Sequence, residues 1–161
     1  MSRTLVLGGN RSGKSAFAES LLADAPAVDY VATAVPDPGD AEWTARIAAH
    51  RARRLPNWAT LETTDVAAVL RRAGGPLLID SITLWLSAAL DDPARVDDLC
   101  AAWQATTRRV VVVSDEVGSG VVPMTDAGRR FRDALGLLNQ RLAGAADDVH
   151  LVVAGLPLRL K

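Results

Sequence analysis

A β-favouring run, Arg3 to Leu7, passes directly into Gly8-Gly-Asn-Arg-Ser-Gly-Lys-Ser15, and helix formers follow from Lys14 to Ala23 with Phe17, Leu21 and Leu22 spaced for one buried face. The segment therefore reads as strand, glycine-rich turn, helix. It matches G-x-x-x-x-G-K-[ST] in the context that gives this pattern its chemistry. Glycines at such a turn let successive backbone N–H groups point inward around a polyphosphate, and the helix start adds a positive partial charge. Lys14 is placed to reach the β- and γ-phosphates and Ser15 to hold Mg²⁺. A glycine turn that binds nothing is the competing reading, and the strand-to-helix context speaks against it.

The remaining chain alternates extended and helical patterns. Val28 to Ala34 reads as a second strand, ended by Val35-Pro-Asp-Pro-Gly-Asp40, and a helix capped by Asp40 restarts over 41–54 with Trp43 and Ile47 on one side. An extended piece over Trp58 to Thr63, a helix over Asp65 to Ala73 and a buried strand over Pro76 to Asp80 come next. Helices are expected at Ile82 to Leu90 and Pro93 to Thr107. The four valines Val110 to Val113 suit a strand covered on both faces. A glycine-rich loop from Val117 to Pro123, a long helix capped by Thr125 and reaching Ala145, a final interior strand over Val149 to Ala154 and the tail LPLRLK complete the chain. Such alternation predicts a single α/β domain over 1–161, a P-loop NTPase-type, mostly parallel sheet flanked by helices, with ligands beyond the carboxyl ends of its strands.

Composition excludes several classes. At 161 residues and 49% apolar content, the chain can bury one core. A formal charge of −1 gives no bulk attraction to nucleic acid or anionic membrane, so a bound anion must be held locally. The longest apolar stretch, Leu151 to Leu158, is far short of the roughly 20 residues of a membrane span. The lone Cys100 cannot form an internal disulfide and the first residues lack signal-peptide features, so the expected location is the cytoplasm. Sixteen of eighteen basic residues are arginine, and no lysine lies between Lys14 and Lys161. That removes the N-K-x-D or T-K-x-D segment a regulatory GTPase needs to read its base.

Two strand-end acidic sites are candidates to join Ser15 at Mg²⁺, Asp80 in LLID and Asp115-Glu116 after the valine run, and the sequence does not choose between them. Of the two histidines, His150 reads most simply as a strand-boundary residue. His50 shares a helix face with Arg46 and Arg54 at i−4 and i+4, with Arg53 nearby. Surrounding positive charge favours the neutral, nucleophilic imidazole, and the guanidinium groups suit a phosphate clamp. A solvated basic face carrying an incidental histidine explains the same spacing.

The ordered blocks GGNRSGKS at 8–15, YVAT at 30–33, RIAAHRARR at 46–54, WATLET at 58–63, LLIDSITLWLS around Ile79, SDEVGSGVVP at 114–123 and FRDALGLLNQRLA at 131–143 resemble the bifunctional adenosylcobinamide kinase / adenosylcobinamide-phosphate guanylyltransferase family of cobalamin biosynthesis. The resemblance implies that His50 carries GMP covalently. It implies nucleotide contacts from Gly8, Gly9, Asn10, Arg11, Ser12, Gly13, Lys14 and Ser15, from Ala32, Thr33 and Ala34, from Arg51, Ala52, Arg53 and Arg54, and from Glu62 and Asp80. It further implies GTP, with ATP as an alternative in the kinase step, Mg²⁺, adenosylcobinamide and its phosphate as substrates, and a homotrimer. Three positions depart from the family pattern: Asp115 stands where Asn is usual, Ser81 where Cys is common and Ala88 where Asn is frequent. Two other classes fit the phosphate loop alone, a small-molecule kinase acting on a non-corrinoid substrate and a non-enzymatic GTP-binding sensor.

Overall fold

The computed structural model describes residues 2–33 and 57–161. Among these, seven strands form one sheet in the order β3-β2-β4-β5-β1-β6-β7. The strands are β1 (Arg3–Gly8), β2 (Val28–Ala32), β3 (Trp58–Glu62), β4 (Leu77–Asp80), β5 (Val110–Asp115), β6 (Asp148–Val153) and β7 (Leu156–Arg159). All pairings are parallel except β6 with β7. The expected α/β architecture is therefore present, with β1 in the interior between β5 and β6.

Alternating side chains divide the strands between two apolar layers. Leu5, Leu77, Ile79, Val110 and Val112 point into a core shared with α2 (Val66–Arg71), α3 (Ile82–Ala89), α4 (Pro93–Ala105) and α5 (Asp126–Ala145). Trp85, Leu99, Trp103, Leu135 and Leu142 fill it from the helices. Val6, Leu78, Val111, Val113 and Val152 face the other way, onto Ala18 and Leu22 in and after α1 (Lys14–Ser20). Helix starts are set locally: Asp65, Ser81, Asp92 and Thr125 each accept a backbone N–H of the first turn, contacts typically worth about 1 kcal/mol apiece.

Two elements differ from the sequence reading. Helix α1 ends at Ser20, and 21–24 continue as turns, so the helix is shorter than the apolar spacing through Leu22 suggests. The tail is ordered as β7, joined to β6 by the two-residue turn Ala154-Gly155 with φ of 52° and 80°. Two positive φ values are the primed hairpin geometry. Pro157 disguises this strand in the sequence, and an edge strand tolerates it because one row of its N–H groups has no partner to lose. The expected helix over 41–54 and the end of the second strand at Ala34 lie outside the described residues.

Ion pairs tie the loops around this sheet. Arg3 donates from its backbone N–H (2.8 Å) and its guanidinium to Asp147, holding that carboxyl below the usual carboxylate range. Through their guanidinium groups alone, Arg71 likewise lowers the Asp98 carboxyl and Arg109 that of Asp24. A carboxyl whose native pKa is depressed stabilises the fold above its unfolded value, near 3.9, and that contribution disappears as pH falls through the native value. Urea midpoints measured from pH 6 to pH 2 are therefore expected to fall steeply below about pH 4. Asp147→Asn should start lower at pH 6 and fall less.

Candidate functional site at the carboxyl edge of the sheet

The strand register brings the sequence candidates to one edge. Glu62, Ala32, Asp80 and Val113 lie level across β3, β2, β4 and β5, and Gly8 pairs with Asp115 two residues further along β1 and β5. By alternation from the buried residues that precede them, Ala32, Asp80 and Asp115 fall on the α1 face, where the phosphate loop turns into its helix.

The loop from Gly8 to Ser15 is held by its own backbone and by its neighbours. Ser12 N–H donates to the Gly9 carbonyl (3.2 Å), and the Ser12 hydroxyl accepts Lys14 N–H (3.3 Å). Arg11 and Gly13 adopt positive φ, 54° and 92°. Gly13 is required twice over, since a Cβ there would also lie 3.1 Å from Gly155 Cα. The hairpin turn thus packs against the loop, and Gly155 N–H donates to the Ser12 carbonyl at 2.8 Å. Gly9, Asn10, Arg11 and Gly13 are exposed, while Ser12 and Lys14 are buried.

Lys14 Nζ lies 2.6 Å from Asp115 Oδ1 and donates to the Gly9 carbonyl at 3.2 Å. Asp115 is fixed through its backbone: its N–H donates to Thr83 Oγ1 (2.7 Å), and its carbonyl accepts from Asn139 Nδ2 (3.0 Å). The Asn139 amide oxygen accepts from Ser114 Oγ at 2.7 Å, so α5 anchors the end of β5 twice. Glu116 N–H donates to the Gly8 carbonyl, and the Glu116 carboxylate accepts Gly118 N–H at 2.8 Å, turning the chain away from the loop.

The other acid, Asp80, accepts the Tyr30 hydroxyl at 3.0 Å. Thr33 is buried and locks the ends of β2 and β4 together. Its hydroxyl donates to the Ser81 carbonyl (2.6 Å) and accepts Ser81 N–H (3.2 Å). Ser81 caps α3, whereas Ala88 is exposed on that helix. His150 sits on β6 with its ring edge-on to Phe17 at 5.1 Å. Glu62 is exposed at the end of β3. His50, Arg51, Ala52, Arg53, Arg54 and Ala34 lie outside the described residues.

Asp80 and Asp115 carry hard oxygen donors on the α1 face of this edge and Ser15 lies in the first turn of α1, donor types suited to a small divalent cation that keeps most of its ligands from phosphate and water. Among the described residues, no three or more His, Cys, Asp or Glu side chains gather as a metal cluster.

The cobinamide kinase / cobinamide phosphate guanyltransferase family model matches residues 4–160. The chain belongs to this family. It is 46% identical to the bifunctional adenosylcobalamin biosynthesis protein CobP of Pseudomonas aeruginosa, over 99% of this chain and 97% of that protein. It is 39% and 37% identical to the proteins named CobU of Salmonella typhimurium and Escherichia coli, over 98% of each chain in both cases. Among solved structures, an ATPase of a bacterial type III secretion system superposes over 98% of this chain and 56% of its own length. Its TM-score is 0.56 and its identity 14%, a likeness of fold alone.

Within this family member, sequence reading picks out the loop, Thr33 and both acids, and the structure gathers them at one edge. Thr83, Asn139 and Gly155 escape it. A glycine after LVVA is a turn signal, whereas nothing local marks Thr83 or Asn139, whose roles arise from elements distant along the chain.

Proposed function

We infer that this chain phosphorylates the aminopropanol hydroxyl of adenosylcobinamide and then transfers GMP from GTP to the product, giving adenosylcobinamide-GDP in cobalamin biosynthesis. The observation that carries the reading is the family match over nearly the whole chain. The phosphate loop and its strand-to-helix setting support nucleoside triphosphate as substrate.

In the kinase step, the substrate hydroxyl oxygen attacks the γ-phosphorus, the bond to the β-γ bridging oxygen breaks, and the alcohol proton is released. Loop N–H groups and Lys14 hold the phosphates in line and offset their charge, so positioning and electrostatics account for the catalysis. Ser15 with Asp80 or Asp115 would hold Mg²⁺, which supplies further charge neutralisation at the phosphates.

In the transferase step, neutral His50 attacks the α-phosphorus of GTP and expels pyrophosphate. A phosphate oxygen of adenosylcobinamide phosphate then attacks the guanylyl-histidine, forming the new P–O bond and returning the imidazole. Thr33, at the edge carrying the loop, is the last described residue before the segment that contains His50. The location proposed for this enzyme is the cytoplasm; no helix among the described residues is long and apolar enough to cross a membrane. Self-association as a homotrimer is proposed from the family resemblance alone.

Incubation with α-phosphate-labelled GTP and Mg²⁺ tests the covalent step. An acid-labile adduct is expected that is absent in His50→Ala and retained in Cys100→Ala. Transfer of γ-phosphate without an adduct would leave a plain kinase, and binding without transfer a sensor.

A further inference from the structure

The contact between Lys14 and Asp115 presents the incoming nucleotide with a competitor. Both side chains are mostly buried, 11% and 26% exposed, and their charged atoms are 2.6 Å apart. A triphosphate seated in the loop draws Lys14 toward phosphate oxygen, which leaves the Asp115 carboxylate facing a polyanion across a partly desolvated gap. Like charges at such separations repel strongly when water is excluded. The backbone that carries the carboxylate is fixed beside the loop. Thr83 holds the Asp115 N–H, Asn139 holds its carbonyl, and Glu116 N–H is fastened to Gly8 of the loop itself. Ladder pairing of Gly8 with Asp115 keeps the two strand ends level.

Resting on the nucleotide-site reading above, we propose that Asp115 is a specificity-determining residue that makes the phosphate loop reject a metal-free nucleoside triphosphate and accept the triphosphate carrying a divalent cation. Lys14 is held in reserve by Asp115 until the nucleotide arrives. The carboxylate then tolerates only a nucleotide whose negative charge is already partly neutralised, and it offers that cation an oxygen. A neutral side chain of the same shape would keep a polar contact to Lys14 and lose the discrimination.

The probe is α,β-methylene GTP, whose α-β bridge His50 cannot cleave, titrated calorimetrically with excess Mg²⁺ and, separately, with excess EDTA. The measured quantity is the ratio of the two dissociation constants, in which the competition of Asp115 for Lys14 is common to both conditions and cancels. Wild-type protein is expected to bind the metal-free analogue at least about a hundredfold more weakly than the Mg²⁺ complex. Asp115→Asn and Asp115→Ser are expected to reduce that ratio about tenfold or more, mainly by strengthening metal-free binding. Circular dichroism confirms that each variant folds, and either one suffices.

A wild-type ratio near one overturns the proposal without any variant, and so does a ratio that a folded variant leaves within about twofold of wild type. No binding by wild-type protein in either condition would overturn the nucleotide-site reading and this inference with it. Tight Mg²⁺-dependent binding with an unchanged ratio in the variants would overturn the inference alone.

Discussion

Lys14→Met is expected to lower the rate of adenosylcobinamide phosphate formation by about 10²- to 10³-fold, the usual scale for removing one charged or hydrogen-bonding group aimed at developing charge. Two losses combine in this variant. Its phosphates lose a cation, and Asp115 loses the ammonium 2.6 Å from its carboxylate, so an unpaired negative charge remains beside the loop. Nucleotide affinity should therefore fall along with the rate. The double variant Lys14→Met/Asp115→Asn separates the two: affinity is expected to recover substantially while the rate stays low, because no cation has been returned to the transferring group. Corrinoid product measured by chromatography under single-turnover conditions gives the rate, and calorimetry gives the affinity. Full recovery of rate in the double variant would mean that Lys14 serves only to neutralise Asp115.

Gly8→Ala is the second large effect. A Cβ at Gly8 would clash with Ser12 Oγ and lie 2.8 Å from the Val152 carbonyl oxygen, one a short side chain and the other backbone of the neighbouring strand. Neither can move without cost. Val152 is fully buried and paired with both β1 and β7, while the Ser12 hydroxyl accepts Lys14 N–H. Overpacking of this kind costs about 1–3 kcal/mol, and the least costly relief displaces Ser12, which unseats the turn on which Lys14 is mounted. Thermal unfolding should show the lower stability, and calorimetry a nucleotide affinity reduced by about tenfold or more. Gly9→Ala is the matched control. Nothing lies within 4 Å of a Cβ at Gly9, and its backbone is outside the left-handed region, so its melting temperature should stay close to wild type.

Much of this fold is written locally. Strand β1, the glycine turn and the start of α1 are legible from five residues of β propensity, three glycines and a run of helix formers. Thr125 announces the start of α5 because a hydroxyl before a helical run is a capping signal. The valine run gives β5, and the two strand-end acids are recognisable by position. What stays hidden is the pairing. No residue states that β5 lies between β1 and β4, yet that order places Asp115 against Lys14 and Asp80 one strand further away, beside Tyr30. Strand β7 is hidden for a different reason: all four residues of Leu156–Arg159 are exposed and one is proline, so neither burial pattern nor propensity marks it. The Thr33–Ser81 lock and the Asn139 bridge join residues far apart along the chain, where local periodicity has no reach.

The interior placement of β1 has a consequence for the nascent protein. Its ladder partners begin at Val110 on one side and Asp148 on the other, and the turn that braces the glycine loop comes later still. At about 5–20 residues per second, a ribosome leaves this first-made strand without neighbours for several seconds. Nucleotide in the cell can rescue a completed chain from unfolding, yet it cannot act as a folding template for a truncated or stalled one.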